Sequence, residues 1–219
     1  MRLGGTAAFL TEVNTRQEII DAANWASEKN VPMMLIGEGS NIIWDDDGFP
    51  GLVVVNKITG ITSSGDFDTG IYLTAASGEN WDKFVAYSVQ QGLTGIEFLS
   101  LIPGTVGATP VQNVGAYGAE VSNTITTIEA YDTVEKKLVI LRGSDCGFGY
   151  RTSRFKTTDK GRYLITAVTF FLQKGNPEGP FYGALETYFR EHGITTDFTP
   201  TIIREAVTAI RSSKLPDPA

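Results

Sequence analysis

Histidine, cysteine and clustered positive charge are scarce in this chain of 219 residues, which has one histidine, one cysteine and a net charge of −7. One cysteine cannot form an internal disulfide and fits a reducing compartment, and one residue of each type effectively excludes a metal site built from histidine and cysteine. No run of Lys and Arg exceeds two residues. We therefore expect no nucleic-acid partner, because binding a nucleic-acid backbone needs a basic surface.

Long hydrophobic runs are missing too. No apolar stretch approaches the roughly 18 residues that a membrane span needs. The N-terminus has a short apolar patch after Gly4 and Gly5, whereas a signal peptide needs a longer apolar core. We therefore expect a cytoplasmic protein that is monomeric and has no membrane partner.

Groups that could transfer protons are few. Any Ser–His–Asp triad would need His192, yet the surrounding sequence predicts a helix end, where a histidine usually interacts with the helix dipole. A Cys146–His192 dyad is the alternative, but nothing near Cys146 in the sequence would activate a thiol. This scarcity fits a reaction whose chemistry a cofactor supplies.

Two glycine-rich segments stand out against these absences. The first, Gly37–Asn41, follows the apolar run Met33–Ile36, and the second, Leu101–Val121, holds four glycines and two prolines. Small residues leave main-chain N–H groups open to contact, so the pair predicts a ligand with a long polar or phosphorylated body. Neither segment ends in the Gly-Lys-Ser/Thr of a P-loop, and Ile42 interrupts the dinucleotide-binding pattern. An ordinary turn-rich crossing is the alternative.

The order of helix and strand signals predicts an α+β chain. Thr15 begins a capping-box pattern and a helix that ends near Asn30. A second helix is predicted from Asn80 to Gly92, and two more close the chain, the last beginning at Thr199–Pro200. Strands are predicted at Met33–Ile36, Ile42–Trp44, Leu52–Val55, Ile71–Ala75, Thr124–Thr133, Leu138–Arg142 and Tyr163–Gln173.

Two polar stretches separate these elements. Thr59–Asp68 predicts a domain boundary, which divides a small α/β domain (1–62) from a larger α+β domain (63–219). Asp45–Gly48 could suggest a metal loop, but it lacks the alternating ligands and distal glutamate of a calcium site. We therefore predict a solvated turn there.

Four separated motifs, in the same order along the chain, resemble one family, and the likeness extends from Arg2–Gly5 to the last residue. The motifs are Ile36–Ile43, Gly95–Gly118, Phe148–Ser153 and Lys214–Pro218. They resemble the UDP-N-acetylenolpyruvoylglucosamine reductases, also called UDP-N-acetylmuramate dehydrogenases, bacterial flavoenzymes that complete the muramic acid precursor of peptidoglycan. The resemblance implies an α+β FAD-binding fold of the vanillyl-alcohol-oxidase type, with a small α/β domain, a larger α+β domain and FAD between them.

The resemblance also implies site residues. The pyrophosphate of FAD would lie on the backbone of Gly37, Glu38, Gly39, Ser40 and Asn41. The flavin and its ribityl chain would contact Pro103, Gly104, Thr105, Gly107, Ala108, Thr109, Gln112, Asn113, Gly115, Ala116 and Tyr117. Arg151 matches the family's catalytic arginine, and substrate contacts would come from Tyr150, Tyr182 and Lys214. A solvated or ion-paired structural arginine at Arg151, an aromatic core position at Tyr182 and a solvated Lys214 are the alternatives, and no metal is implied.

The reaction that the resemblance implies is reduction of the vinyl ether of UDP-N-acetylglucosamine enolpyruvate, with hydride that NADPH supplies by way of FAD. Hydride addition pushes negative charge toward the neighbouring carboxylate. A fixed cation such as Arg151 would lower that barrier, and losing such a group typically costs ~10²–10³ in rate. Arginine suits the role because it is always charged and binds a carboxylate through two hydrogen bonds.

Family members continue past the motif at Lys214–Pro218 into a third domain, which carries a proton-donating serine and a later catalytic glutamate. The sequence ends at Ala219, so we expect it to keep much of the FAD site and to show negligible turnover by itself. A non-catalytic flavin- or nucleotide-binding module is one alternative. An oxidase of the same broad fold is another, although such oxidases often tether flavin through histidine or cysteine, which both glycine-rich segments lack.

Overall fold

The fold is that of a computed structural model, which describes residues 4–66 and 69–214. Arg2 and Leu215–Pro218, which belong to the family motifs, lie outside these residues. No helix in the described part of the chain is long and apolar enough to cross a bilayer.

The N-terminal part forms a parallel sheet in the order β1-β3-β2, covered by one helix. Its elements are β1 (Ala7–Val13), α1 (Arg16–Glu28), β2 (Met33–Ile36) and β3 (Phe49–Asn56). The predicted cap of α1 is confirmed, because the Thr15 hydroxyl accepts a hydrogen bond from the Glu18 N–H at 3.2 Å. Ile19 and Ala26 of α1 are buried against the sheet.

The structure differs from the sequence prediction at two places in this region. Ile42–Trp44 is not a strand, because Gly5 and Gly48 both donate backbone hydrogen bonds to the Asp45 carbonyl (2.8 and 2.9 Å) and fold this stretch into loop and turn. Strand β1 was not predicted, since most of its side chains are exposed and show no alternation. It is an edge strand, and its backbone pairs with β3.

The larger sheet is antiparallel, in the order β10-β9-β11-β5-β4. Its strands are β4 (Ile61–Asp66), β5 (Gly70–Ala76), β9 (Ile125–Asp132), β10 (Lys137–Arg142) and β11 (Tyr163–Lys174), and the short β6 (Leu93–Thr94) pairs with β11. The stretch predicted as a boundary therefore contains an edge strand, which is polar because most of its side chains face solvent. The change of sheet falls between Asn56 and Ile61; the division at residues 62 and 63 stays a prediction.

Helix α2 (Trp81–Gln90) packs on this sheet through Trp81 and Phe84, whose rings lie 5.8 and 5.1 Å from the ring of Phe170. The predicted cap is confirmed, since the Asn80 side chain accepts a hydrogen bond from the Lys83 N–H at 3.0 Å. The short strands β7 (Gly115–Ala116) and β8 (Ala119–Glu120) follow in the second glycine-rich segment. This segment thereby lies between the two sheets and the closing helices.

Helices α3 (Gly183–Glu191) and α4 (Pro200–Lys214) share a separate apolar cluster. Thr199 caps α4 as predicted, with its hydroxyl accepting from the Ile202 N–H at 3.3 Å. A bidentate ion pair ties α4 to α2, with Arg204 Nη1 and Nη2 at 2.7 and 2.8 Å from the two Asp82 carboxylate oxygens. His192 caps the C-terminus of α3 as predicted.

Candidate functional site

A cavity of about 380 Å³ lies between the two glycine-rich segments, and we call it the first cavity. Ten of the predicted cofactor residues line it: Gly37, Ser40, Asn41, Pro103, Gly104, Thr105, Gly107, Ala108, Thr109 and Gln112. The structure therefore brings together two segments that are more than sixty residues apart in the sequence. Most of the residues that the two segments contribute are small, and larger side chains such as Leu35, Tyr163 and Ile165 line the rest.

The backbone N–H groups of the first segment are available to a ligand. Within the described residues, none of the amides from Gly37 to Asn41 donates a hydrogen bond, and neither do those of Gly104 and Thr105. Gly39 has a φ of +69°, which turns the chain in the left-handed region that glycine adopts without strain. Successive free amides in such a turn form a concave site for an anion such as a phosphate.

Close packing explains two of the glycines, one where the two segments meet and one where the second segment meets the residues before α2. A Cβ on Gly37 would lie 2.3 Å from Thr105 Oγ1, and a Cβ on Gly107 would lie 2.4 Å from the Ser77 Cβ. A side chain at Gly37 would push the two segments apart, and one at Gly107 would push the second segment away from Ser77. The residues present therefore fit a group that needs bare backbone on both walls, as FAD does.

Hydrogen bonds fix both walls to the start of α2. The N–H groups of Trp81 and Gly107 donate to the carbonyls of Gly104 and Ser77 at 3.0 and 2.9 Å. From the first segment, the Glu38 carboxylate accepts a hydrogen bond from Asn80 Nδ2 at 2.8 Å. The side chain of Glu38 is thus held at the start of α2, and neither Glu38 nor the predicted Gly39 lines the first cavity.

Sequence reasoning missed the polar residues at the base of the first cavity. Asn56 and Ser77 are buried, and Asn56 Nδ2 donates to Ser77 Oγ at 2.6 Å. Asn56 directly follows the apolar run of β3, and the carboxyl ends of parallel strands are where ligands bind in open α/β sheets. The position of Asn56 at the end of a predicted strand was therefore the sequence signal that could have identified it.

A second cavity, of about 600 Å³, lies beside the first and holds every residue predicted for catalysis or substrate binding. It is lined by Arg151, Tyr150, Tyr182 and Lys214, by Gly115, Ala116, Tyr117, Gly118, Ala119 and Ala184, and by Glu120 and Arg211, which were not predicted. The predicted cofactor residues Gly115, Ala116 and Tyr117 therefore lie in this second cavity and not in the first. Its charged groups include three cations and one carboxylate.

Arg151 lies on an exposed turn between the two cavities. Its Nη2 donates to the Gly115 carbonyl at 2.5 Å, and its guanidinium lies 5.7 Å from the ring centroid of Tyr150. Lys156, which lines the first cavity, donates from Nζ to the Arg151 carbonyl at 3.1 Å. Arg151 forms no ion pair with a carboxylate of the described residues. The structural ion pair considered from sequence is therefore not present here.

Two aromatic residues of the second cavity, Tyr150 and Tyr182, are exposed, and the third, Tyr117, is partly buried. Tyr182 is 57% exposed and meets the ring of Tyr117 edge-on at 5.8 Å, so it is not a core residue. Burial raises the pKa of the Tyr117 hydroxyl, an effect that its hydrogen bond with Arg211 opposes. Arg211 also donates from Nε to the Leu101 carbonyl at 3.2 Å, which holds this cation at the edge of the cavity.

Asn113 is the one predicted cofactor residue whose side chain is fully committed to the protein. It is buried, and Nδ2 donates to Glu120 Oε2 at 2.7 Å and to the Gly149 carbonyl at 3.1 Å, while Oδ1 accepts from the Ser122 N–H at 3.1 Å. Its side-chain atoms line neither cavity. The side chain of Asn113 is thus engaged within the protein, and its predicted contact with the cofactor stays a prediction.

The alternative Cys146–His192 dyad has no support in the structure. Burial raises the pKa of the Cys146 thiol to about 11, and the thiol donates to the Arg142 carbonyl at 3.2 Å. His192 Nδ1 pairs with the Tyr188 carbonyl at 2.8 Å, and its ring stacks on that of Tyr188. Each group is engaged with a different neighbour.

Comparison with known proteins places this geometry in a family. A family model described as an FAD binding domain matches residues 7–139. A UDP-N-acetylenolpyruvoylglucosamine reductase of Alcanivorax borkumensis is 43% identical over 187 residues, which is 85% of this chain and 53% of the relative. That of Ralstonia nicotianae is 38% identical over all of this chain and 64% of its own length. The chain thus spans between half and two thirds of these relatives.

Solved structures show the same fold. The UDP-N-acetylenolpyruvylglucosamine reductase of Thermus caldophilus aligns with a TM-score of 0.66 at 21% identity, covering 94% of this chain and 64% of that one. Cholesterol oxidase from B. sterolicum aligns with a TM-score of 0.55 at 16% identity, covering 75% and 34%. These likenesses confirm the predicted vanillyl-alcohol-oxidase-type fold. The family model covers more than half of this chain, so the chain belongs to the FAD binding domain family, and the relatives named above are UDP-N-acetylenolpyruvoylglucosamine reductases.

Proposed function

We propose that the first cavity binds FAD, with its pyrophosphate on the free amides of Gly37–Asn41. The observation that carries this proposal is the row of amides without a partner in the described residues, in a segment whose Gly37 packs directly against Thr105 of the second segment. Gly104 and Thr105 add two further free donors on that wall. When bound, FAD would relay hydride from NADPH to the double bond of the substrate.

The second cavity is proposed to bind UDP-N-acetylglucosamine enolpyruvate. This ligand carries a diphosphate and a carboxylate, and the cavity offers the cations Arg151, Arg211 and Lys214. Tyr150 and Tyr182, both exposed at the rim, offer flat surfaces for the nucleotide and sugar. The names of the relatives supply the identity of the sugar, and the charge of the cavity fits it.

Arg151 is proposed to act on the carboxylate of that substrate. Its guanidinium stays charged at any working pH and is held by the Gly115 carbonyl, on the boundary between the two cavities. A cation fixed there stabilises negative charge that develops on the carboxylate as the neighbouring double bond is reduced. Because Arg151 has no carboxylate partner among the described residues, the substrate would not have to displace one.

The whole function proposed is thus NADPH-dependent reduction of the enolpyruvyl sugar in peptidoglycan precursor synthesis, by a monomer in the cytoplasm. The chain matches only part of the length of its relatives, so we propose negligible turnover by the chain alone. A non-catalytic flavin-binding module is the second candidate, since the first cavity could bind FAD whether or not the second binds a sugar.

Two measurements test these proposals in sequence. Flavin released by denaturing the purified chain, or flavin added to it, should be identified by chromatography and fluorescence as FAD bound one to one. A chain that neither carries FAD nor quenches its fluorescence would overturn the first proposal. Calorimetry of the FAD-loaded chain with UDP-N-acetylglucosamine enolpyruvate should then show binding that Arg151→Ala weakens. FAD binding without any sugar binding would favour the non-catalytic module.

A further inference from the structure

The placement of Arg151 needs an explanation beyond its own contacts. Its φ is +53°, a left-handed conformation that costs a non-glycine residue free energy and persists only when neighbours hold it. The turn that carries it is closed by two hydrogen bonds between Gly149 and Thr152, both at 3.2 Å. Those bonds shape the turn, but they do not attach it to the rest of the molecule.

Asn113 attaches the N-terminal side of this turn. Its Nδ2 donates to the Gly149 carbonyl at 3.1 Å, two residues before Arg151, and also to Glu120 at 2.7 Å. Its Oδ1 holds the Ser122 N–H at 3.1 Å. A single buried amide therefore connects the arginine turn with β8, which lines the second cavity.

Ser153 attaches the other side. Its hydroxyl is buried and donates to the Val111 carbonyl at 2.6 Å. Val111 and its neighbour Gln112 line the first cavity, so the turn is held at both ends by the segment 111–113. The position of Arg151 is thereby set by the loop that also forms the cofactor wall.

We propose that Asn113 is the positioning residue for Arg151, which it holds, together with Ser153, at the boundary between the two cavities. Asparagine meets two demands here: it tolerates the left-handed φ of +48° that position 113 adopts, and its amide can donate twice while it accepts once. An aspartate would keep the backbone and the acceptor. It would also place a carboxylate against the Glu120 carboxylate and the Gly149 carbonyl, with no proton for either.

Chemical modification of Arg151 tests this positioning without any ligand. Phenylglyoxal would be applied to the parent chain and to Asn113→Asp, and modification of Arg151 measured by peptide mass spectrometry relative to the exposed Arg142 in the same sample. We expect the Arg151 rate to rise about fivefold in Asn113→Asp, because a released side chain leaves the Gly115 carbonyl more often. An unchanged ratio in a folded variant would overturn the proposal.

A matched control separates this effect from a general loss of packing. Asn80→Asp also removes a hydrogen bond from an asparagine amide to a glutamate, here Glu38 at 2.8 Å, but on the other side of the first cavity. Aspartate is as good a helix cap as asparagine. This variant should leave the Arg151 modification ratio unchanged, and an equal rise in both variants would contradict a specific role for Asn113.

Ser153→Ala keeps the proposal testable if Asn113→Asp fails to fold. It removes only the second attachment, so we expect a rise of about twofold in the Arg151 ratio, with circular dichroism spectra like those of the parent. A folded Ser153→Ala chain with the parental ratio would overturn the proposal as stated, because the proposal assigns the placement of Arg151 to Asn113 and Ser153 together.

Ligand binding gives a second readout, which rests on the proposed function. With FAD bound, Asn113→Asp should bind UDP-N-acetylglucosamine enolpyruvate about tenfold more weakly, while its FAD affinity stays within twofold of the parent. In an Arg151→Ala background the same substitution should cause no further loss, because its effect passes through Arg151. An additive loss would overturn the positioning role. A parent chain that binds neither ligand would refute the proposed function and leave the modification result standing.

Discussion

The two cavities are built from different parts of the polypeptide. The glycine-rich segments contribute mostly small residues to the first cavity, and main-chain hydrogen bonds from Trp81 and Gly107 join the second of these segments to the start of α2. The second is lined by long charged and aromatic side chains, several of them exposed, such as Tyr150 and Tyr182. The first cavity depends on positions that carry little or no side chain, whereas the second depends on particular charged and aromatic side chains.

This difference determines how each cavity should respond to change. A wall of backbone fails when a side chain is added, since two packed segments have no free space between them. A wall of side chains fails when a group is removed or its support is loosened. The following variants test that distinction, from the largest expected effect to the smallest.

Gly37→Ala should damage the first cavity most. The new Cβ would lie 2.3 Å from Thr105 Oγ1, and relieving such overpacking costs about 2–3 kcal/mol, which corresponds to roughly 100-fold weaker FAD binding. Fluorescence titration with FAD measures this loss. Gly183→Ala is the control, because no atom lies within 4 Å of its Cβ and its φ is ordinary. Gly37→Ala binding FAD within threefold of the parent would contradict the role assigned to the bare backbone.

Arg151→Ala should have the opposite pattern. Hydrogen bonds to charged groups contribute about 1.5–3 kcal/mol, so calorimetry with UDP-N-acetylglucosamine enolpyruvate should show roughly 10- to 100-fold weaker binding. FAD affinity should stay near that of the parent, since Arg151 does not line the first cavity. Arg142→Ala, on a strand outside both cavities, serves as the control. An equal loss of affinity for FAD and for the sugar would contradict the assignment of Arg151 to the second cavity alone.

Asp82→Ala should affect both cavities moderately through their support. Asp82 accepts one hydrogen bond from the N–H of Leu101, the first residue of the second glycine-rich segment. It also accepts from Arg204 on α4, the helix that carries Arg211. Burial alone would raise the pKa of Asp82, but these hydrogen bonds outweigh it and lower the pKa. The pair is partly exposed, so we expect urea unfolding to give a free energy lower by about 1–3 kcal/mol. Asp82→Asn, which can still accept from Leu101, should lose less, and an equal loss would argue against that contact.

Acid should loosen the second cavity through Asp132, the smallest effect expected. Hydrogen bonds from Arg162 lower the pKa of Asp132 from 3.8 to about 2, and this pair anchors the loop that returns from Arg151 to β11. A lowered pKa in the folded state stabilises the protein fully above about pH 4, and this stabilisation is lost as the pH falls through 2. The urea midpoint of the parent should therefore decline over that range more steeply than that of Asp132→Asn. Parallel curves of urea midpoint against pH for the two proteins would show that this ion pair does not contribute to the free energy of unfolding.

The sequence predicted the first cavity well because its determinants are local. Glycines that follow an apolar strand indicate bare backbone at a strand end, and the family resemblance then named individual residues, most of which line this cavity. The helix caps at Thr15, Asn80 and Thr199 were also predictable, since each side chain accepts a hydrogen bond from the backbone N–H three residues further along the chain.

What the sequence could not supply depends on contacts between distant residues. The exposed edge strand β1 carries no alternation, because its stability comes from backbone pairing with β3. The resemblance implied a cofactor contact for Asn113, and nothing in the sequence indicated the hydrogen bond of its side chain to Gly149, 36 residues away. In the sequence, Arg211 cannot be told from a solvated residue of an amphipathic helix, and only the packing of α4 places it at the second cavity.

Hydrogen exchange of backbone amides tests the central claim most directly. The exchange rates of individual amides would be measured by nuclear magnetic resonance or mass spectrometry for the chain before and after addition of FAD. The account predicts that Gly37–Asn41, Gly104 and Thr105, which donate no hydrogen bonds within the described residues, become protected. Exchange around Tyr150 at the second cavity should change far less. FAD binding that leaves Gly37–Asn41 unprotected would contradict the account, because the cofactor would then be held by other groups.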